Sequence, residues 1–252
     1  MCLAFVALNV HPGFALVIAA NRDEAYARPT EAAHWWPQGI LAGRDRLAGG
    51  TWLGITRQGR WSLVTNVRDP ALKDPNAPSR GAMVTAALDD PRAPLISAAA
   101  ATRAARHNGF NLLIGDPGQA AYASNRTSGA LVLEPGIHGL SNHVLDSPWP
   151  KVERGKRAFA AWIASGDSGA APLLDLLHDE QTAADASLPL TGVPLEWERR
   201  LSSAFIVGDD YGTRCSTVIT VARSGQVRFV ERSFAAGGQA QGDVVHEFEL
   251  AA

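Results

Sequence analysis

The chain has 252 residues, 46% of them hydrophobic and 19% charged, with 24 glycines and 15 prolines; this composition excludes disorder, collagen-like repeats and long coiled coils. A compact fold of this length buries roughly three quarters of its unfolded surface, enough for a substantial core. Against 23 Lys and Arg stand 25 Asp and Glu, a formal charge of −2, so no basic field gathers nucleic acid or an anionic membrane, and neither is expected as a partner.

In chain order, the apolar runs Leu3–Leu8 and Ala15–Ala20 flank Asn9-Val10-His11-Pro12-Gly13, which is turn chemistry for a hairpin. Both runs are apolar at nearly every position, the pattern of strands buried on two faces. Trp35-Trp36-Pro37 reads as an aromatic pair in a loop that either lines a pocket or caps the core, with the core preferred. The polar loop Arg44–Gly50 leads to a second hairpin, Thr51–Thr56 and Arg60–Asn66, turning at Gln58-Gly59. Asp69–Ser79 carries Pro70, Pro75 and Pro78 and reads as loop. Helices are expected over Gly81–Leu88, stopped by Asp89-Asp90-Pro91, and over Ala93–Arg106, capped near Gly109. Strands return at Asn111–Gly115, Ala120–Ser124 and Leu131–Leu133. Pro150–Ser165 opens with proline at a first-turn position and stops at Gly166, and Ala171–His178 is a further short helix. Strands are then expected at Ser203–Val207, Ser216–Ala222, Val227–Ser233 and Val244–Phe248. Strands and helices come in blocks without βαβ alternation, and two antiparallel sheets with helices packed outside them satisfy that order. No repeat and no linker divides the chain, so one domain over residues 1–252 is expected.

The two cysteines, Cys2 and Cys215, form no disulfide framework, and no Cys/His spacing suggests a metal site. The N-terminal stretch lacks a positive n-region and is interrupted at His11-Pro12-Gly13. It reads as neither a signal peptide nor a spanning helix, and a reducing, cytoplasmic compartment is expected.

Cys2 carries the most chemical information. Removal of Met1 leaves a thiol and a free α-amine on one residue, and the amine, with a reference pKa near 7.7–8.0, serves as base for its own side chain. The second strand of the hairpin ends in Asn21-Arg22-Asp23-Glu24, so pairing brings this tetrad beside Cys2. An arginine there lowers a thiol pKa, and an aspartate holds the α-amine or a water. Asn66 and Asn142, each at the end of an apolar stretch, are amide donors suited to an oxyanion. Arg214 enters a strongly apolar strand, where a charge has to be paired or to face a cleft. Cys215 in the same strand reads as inert core.

These residues carry a resemblance. Met1-Cys2, Asn21-Arg22-Asp23-Glu24, Gly43-Arg44-Asp45, Gly49-Gly50-Thr51-Trp52-Leu53-Gly54, Thr65-Asn66-Val67-Arg68, Ser147-Pro148-Trp149-Pro150-Lys151-Val152 and Tyr211-Gly212-Thr213-Arg214 resemble, in order, the NRDE-motif or Transport and Golgi organisation family. The resemblance implies a four-layer αββα sandwich of the N-terminal nucleophile hydrolase type, an α+β fold. By similarity to the choloylglycine-hydrolase and penicillin-acylase branch it implies Cys2, Asp23, Asn66 and Asn142 as catalytic residues. Arg22, Arg214 and Asn21 are then placed at the substrate. That branch spaces its Arg and Asp three apart, whereas Arg22 and Asp23 are adjacent, and adjacent strand residues face opposite sides. The expected activity is cleavage of a small-molecule amide or acyl-linked substrate without metal or cofactor. The alternative the resemblance carries is a non-catalytic carrier of haem or of a lipid or acyl-CoA in the same pocket.

Overall fold

The computed structural model describes residues 2–90, 94, 95, 97, 99 and 106–251, with Cys2 described by its backbone. The chain opens with β1 (Cys2–Leu8) and β2 (Phe14–Ala25), a hairpin in the middle of a six-stranded antiparallel sheet. The sheet is completed by β10 (Gly136–Leu140) beside β1, and by β11 (Tyr211–Ala222), β12 (Gln226–Phe234) and β13 (Ala240–Glu249) beyond β2. A seven-stranded sheet is laid down almost in chain order by β3 (Thr30–Trp35), β4 (Ile40–Asp45), β5 (Leu53–Thr56), β6 (Trp61–Asn66), β7 (Phe110–Asp116), β8 (Gln119–Ser124) and β9 (Ala130–Leu133).

Both faces of the hairpin are buried, which is why its sequence does not alternate. Val6, Leu8, Leu16 and Ile18 meet Leu41, Ile55, Trp61, Leu63 and Leu113 of the second sheet in the central core. Phe5, Val17 and Ala19 point the other way, against α2 (Pro150–Ser165) and α3 (Ala171–Leu177). On the far side of the second sheet, α1 (Gly81–Asp89) sets Met83 and Val84 against Ile40, Leu112 and Ile114. Three apolar layers thus lie between four layers of secondary structure, the αββα order.

The orientation of α2 fixes where the site lies. Midway along β1 the helix crosses at Gly155, where an added Cβ would run into the Phe5 ring. At its other end Trp162 stacks on His11 of the β1–β2 turn, ring centroids 5.0 Å apart. Gly166, at φ 70°, then stops the helix in the left-handed conformation that glycine tolerates. Gly155→Ala is expected to cost about 1–3 kcal/mol through overpacking, read as a lower melting temperature with the fold retained.

Several expectations are corrected. Trp35 closes a strand and does not sit in a loop, and buried Trp36 donates its Nε1–H to Ala42 O at 3.0 Å. Thr30–Trp35 and Ile40–Asp45 are strands with little periodic signal, because β3 is an edge strand whose pairing with β4 slips between Glu31 and His34. The expected strand Ser203–Val207 is not one, although residues 203–206 are buried, since the N–H groups of Ala204 and Phe205 both bond Asp179 O instead of a neighbouring strand. A short helix, α4 (Leu195–Arg200), precedes it. The helix expected over Ala93–Arg106 falls largely outside the described residues. No helix among the described residues is long and apolar enough to cross a membrane.

Candidate active site

The hairpin register sets Cys2 directly opposite Arg22. Strand β2 does not end before the polar tetrad but runs through it, because β11 continues the ladder alongside. A bulge between Thr213 and Cys215 inserts Arg214 into β11. The Arg22 guanidinium is almost fully buried, 4.4 Å over the Trp52 ring, with Nη1 donating to Thr30 Oγ1 at 3.2 Å and Glu24 4.0 Å away. Asp23 is equally buried. Its Oδ1 accepts from the Thr213 hydroxyl at 2.7 Å, and that hydroxyl is itself held by the Ile206 N–H at 2.9 Å. Burial pushes the Asp23 carboxyl above its ordinary value, opposed by nearby positive charge that includes Lys151 and Arg22.

The two asparagines meet from different sheets. Asn66 ends β6, and Asn142 lies in the loop after β10. The Asn142 side chain donates Nδ2 to Asn66 O at 3.2 Å and to Asn66 Oδ1 at 3.0 Å. Its loop is stitched across the gap by Arg68 N donating to Asn142 O at 2.8 Å and by Thr65 Oγ1 donating to Ser141 O at 2.6 Å. The Asn142 amide nitrogen is therefore committed to two acceptors on Asn66. By accepting at Oδ1, Asn66 has its own Nδ2 turned away from Asn142.

The same loop is tied down at its far end. Asp146, at φ 56°, accepts from Gly139 N at 2.8 Å and from Lys156 Nζ at 2.7 Å, and bonds His138 Nδ1 at 3.0 Å. Burial opposes ionisation, but these donors hold the Asp146 carboxyl down to about 2; the Asp146 hydrogen bond in turn raises His138. The carboxylate therefore stabilises the fold fully above its ordinary value near 3.8 and loses that effect as pH falls towards 2. The His138 contribution has the opposite sign, being complete below about pH 6.5 and lost as pH rises through its elevated value. Asp146→Asn, which keeps a residue tolerant of positive φ, is expected to lower the melting temperature at pH about 5. The gap to wild type should close as the pH approaches 2.

Arg22, Asp23, Asn66, Thr65, Trp52 and Arg80 line a cleft of about 480 Å³. At its rim Arg28 Nη2 meets Asp45 Oδ2 at 2.7 Å, and the Asp45 Oδ1 atom receives the N–H groups of Leu47 and Ala48. Despite burial, these donors keep Asp45 below the usual carboxylate value. Beyond Trp52 lies a second cavity of about 440 Å³, lined by Arg214, Cys215, Glu231 and Tyr26. Arg214 faces this second cavity. Its Nη1 gathers the carbonyls of Ala25, Tyr26 and Arg28 at 2.9, 3.3 and 3.0 Å, anchoring the turn after β2. Burial and then the like charge of Arg22 push its guanidinium below the ordinary value. Asn21 lines neither cavity. Its Nδ2 donates to Leu177 O and Ala204 O at 2.8 and 2.9 Å, and its Oδ1 accepts from Ser216 at 2.6 Å. It is a buried tie between the sheet and the segments packed on it. Among the described residues no group of three His, Cys, Asp or Glu is placed to hold a metal ion.

Sequence reasoning passes over Trp52, Arg80, Glu231 and Lys151 as individual residues, although Trp52 and Lys151 lie inside segments that carry the resemblance. Glu231 is buried, and burial raises its pKa. It accepts from Ala33 N at 2.8 Å and Thr217 Oγ1 at 3.2 Å.

Comparison with known proteins places the chain in a family. Two solved structures share the fold at low sequence identity. One is a Caenorhabditis elegans N-acylethanolamine-hydrolyzing acid amidase ortholog, with TM-score 0.52 and 13% identity, covering 86% of this chain and 92% of that one. The other is a mutant conjugated bile acid hydrolase from Clostridium perfringens, with TM-score 0.56 and 8% identity, covering 99% and 92%. The four-layer α+β architecture is thus shared with these two structures. The Transport and Golgi organization protein 2 homolog of Bos taurus is 36% identical, covering 99% of both chains. The Homo sapiens homolog is 34% identical over 92% of this chain and 93% of its own, and the Drosophila melanogaster protein 27% over 92% of each. The family model for Transport and Golgi organisation 2 matches residues 1–236, and the chain belongs to that family.

Proposed function

We propose that the protein is a hydrolase of the N-terminal nucleophile type, using Cys2 against a small-molecule amide or acyl-linked substrate in the cleft between the two sheets. The observation that carries this reading is the register of Cys2 against Arg22, with Arg22, Asp23 and Asn66 lining one cleft. After loss of Met1 the α-amine of Cys2 removes the thiol proton, and the sulfur attacks the carbonyl carbon. The carbonyl π pair moves to oxygen, where the Asn66 Nδ2–H stabilises it. Collapse expels the leaving group, which takes the proton back from the ammonium. Water then hydrolyses the thioester with the same amine as base, releasing the acid and restoring the thiol. Asp23 orients the amine, and Arg22 favours the thiolate electrostatically. Asn142 acts through Asn66, to which its amide nitrogen is already bonded twice. Arg214 holds the turn after β2 and brings positive charge to the neighbouring cavity, where it suits an acidic portion of the substrate.

The test is incubation with a panel of N-acyl amides, followed by mass spectrometry of the N-terminal peptide. An acyl adduct on Cys2 that decays with release of the acid supports the hydrolase. A Soret band on haem titration, with no adduct from any amide, transfers the cleft to a carrier of haem or lipid.

A further inference from the structure

Lys151 occupies a position that breaks two local rules. It is the second residue of α2, within the first turn, where the helix dipole favours anions and disfavours cations. It is also only 2% exposed, although lysine is almost never fully buried unless its charge is matched. Holding so long a side chain still costs further rotamer freedom. An apolar residue at this position would avoid all three costs. Local rules broken together without packing benefit mark functional positions.

The packing of α2 says where that charge goes. The helix C-terminus is fixed at the hairpin turn by the Trp162–His11 stack. Three further contacts, Val152 against Gly139 of β10, Gly155 against Phe5, and the Phe5–Phe159 ring pair, carry the helix back from the turn to the middle of β1, so that its first turn lies on the side of the strand's start. Lys151 therefore enters beneath the open end of the hairpin, where Cys2 pairs with Arg22 and Asp23 follows. We propose that Lys151 is a positioning residue for the reaction centre: its ammonium, supplied from the helical layer, keeps the Asp23 carboxylate ionised so that it orients the Cys2 α-amine. This role rests on the hydrolase reading given above.

Several other described groups bear on Asp23. Thr213 on β11 donates to Oδ1, and Tyr211 donates to the Asp23 carbonyl at 3.2 Å. Arg22, on its own strand, has its guanidinium over Trp52. Arg68, after β6, feels the Asp23 charge but is ion-paired to buried Glu198. Tyr26 also senses Asp23, and the positive amino terminus of the chain adds to the field at the carboxyl. Lys151 is the contribution from α2, and it opposes the desolvation that would protonate Asp23.

The test compares Lys151→Met and Lys151→Arg with wild type. Alkylation of Cys2 by iodoacetamide, resolved on the N-terminal peptide, is measured against pH beside amide turnover and melting temperature. Without the ammonium, Asp23 takes up its proton at higher pH. The acid limb of the Lys151→Met profile should then move up by about one pH unit or more, and Lys151→Arg should restore it. A uniformly lower rate with an unmoved limb, or a limb that Lys151→Arg fails to restore, overturns the proposal. Should Lys151→Met not fold, carbon NMR of the wild-type carboxyls, assigned with Asp23→Asn, decides instead. Asp23 ionised at about pH 6 supports the role, and Asp23 protonated there overturns it. A shifted alkylation limb without amide turnover would sink the hydrolase reading and leave the Lys151–Asp23 coupling standing. Turnover with an unmoved limb does the reverse.

Discussion

Cys2→Ala loses covalent turnover altogether: no acyl adduct forms, and amide cleavage falls on the order of 10⁴-fold or more, as expected when the group that forms the covalent bond is removed. The change deletes one sulfur at the edge of the hairpin and leaves the Arg22–Trp52 stack and the Asp23–Thr213 hydrogen bond intact, so the loss should appear without a fall in melting temperature. Cys2→Ser is the sharper comparison. It keeps the α-amine and a nucleophilic oxygen but raises the side-chain pKa far beyond the reach of an amine base. Burst-phase kinetics with a chromogenic amide measure both variants. Cleavage that survives Cys2→Ala would assign the chemistry to another group.

The second large effect falls on the paired asparagines. Asn66→Ala removes the amide of a cleft-lining residue and is expected to lower kcat by about 10²–10³, or roughly 2.7–4 kcal/mol of transition-state stabilisation, with KM little changed. Asn142→Ala leaves that amide in place but frees it to rotate, because the 3.0 Å bond to Asn66 Oδ1 is gone. Its loss should be somewhat smaller. Residues acting as one unit are non-additive, so the double variant should be no slower than Asn66→Ala alone. Steady-state kinetics on the four proteins decide this, and multiplicative losses would show that each asparagine contacts the oxyanion separately.

How much of this is readable from sequence depends on the distance over which the relevant contacts act. The opening hairpin is local: its turn chemistry and apolar runs specify the pairing, and the pairing brings Arg22 to Cys2. The helix over Pro150–Ser165 carries its start signal at Pro150 and its stop signal at Gly166, both local to the segment. The edge strand Thr30–Trp35 is harder, since a register slip disrupts its alternation. The role of Asn21 is invisible in the chain, because the carbonyls it satisfies lie 156 and 183 residues away. The same holds for Arg214, whose partners at Ala25, Tyr26 and Arg28 are met only when β11 pairs with β2. Lys151 belongs to a recognisable segment, but its meaning depends on which way α2 runs across the sheet.

Whether a single residue here supplies both attacking sulfur and proton acceptor is decided most directly by the intact mass of the purified, untagged protein, joined to sequencing of its first residue. A chain lighter than the encoded one by a single methionine, beginning at cysteine, is the predicted result. A chain that keeps Met1 quantitatively, while remaining fully active, would contradict the account, because the nitrogen on which the proton transfer depends would be locked in a peptide bond.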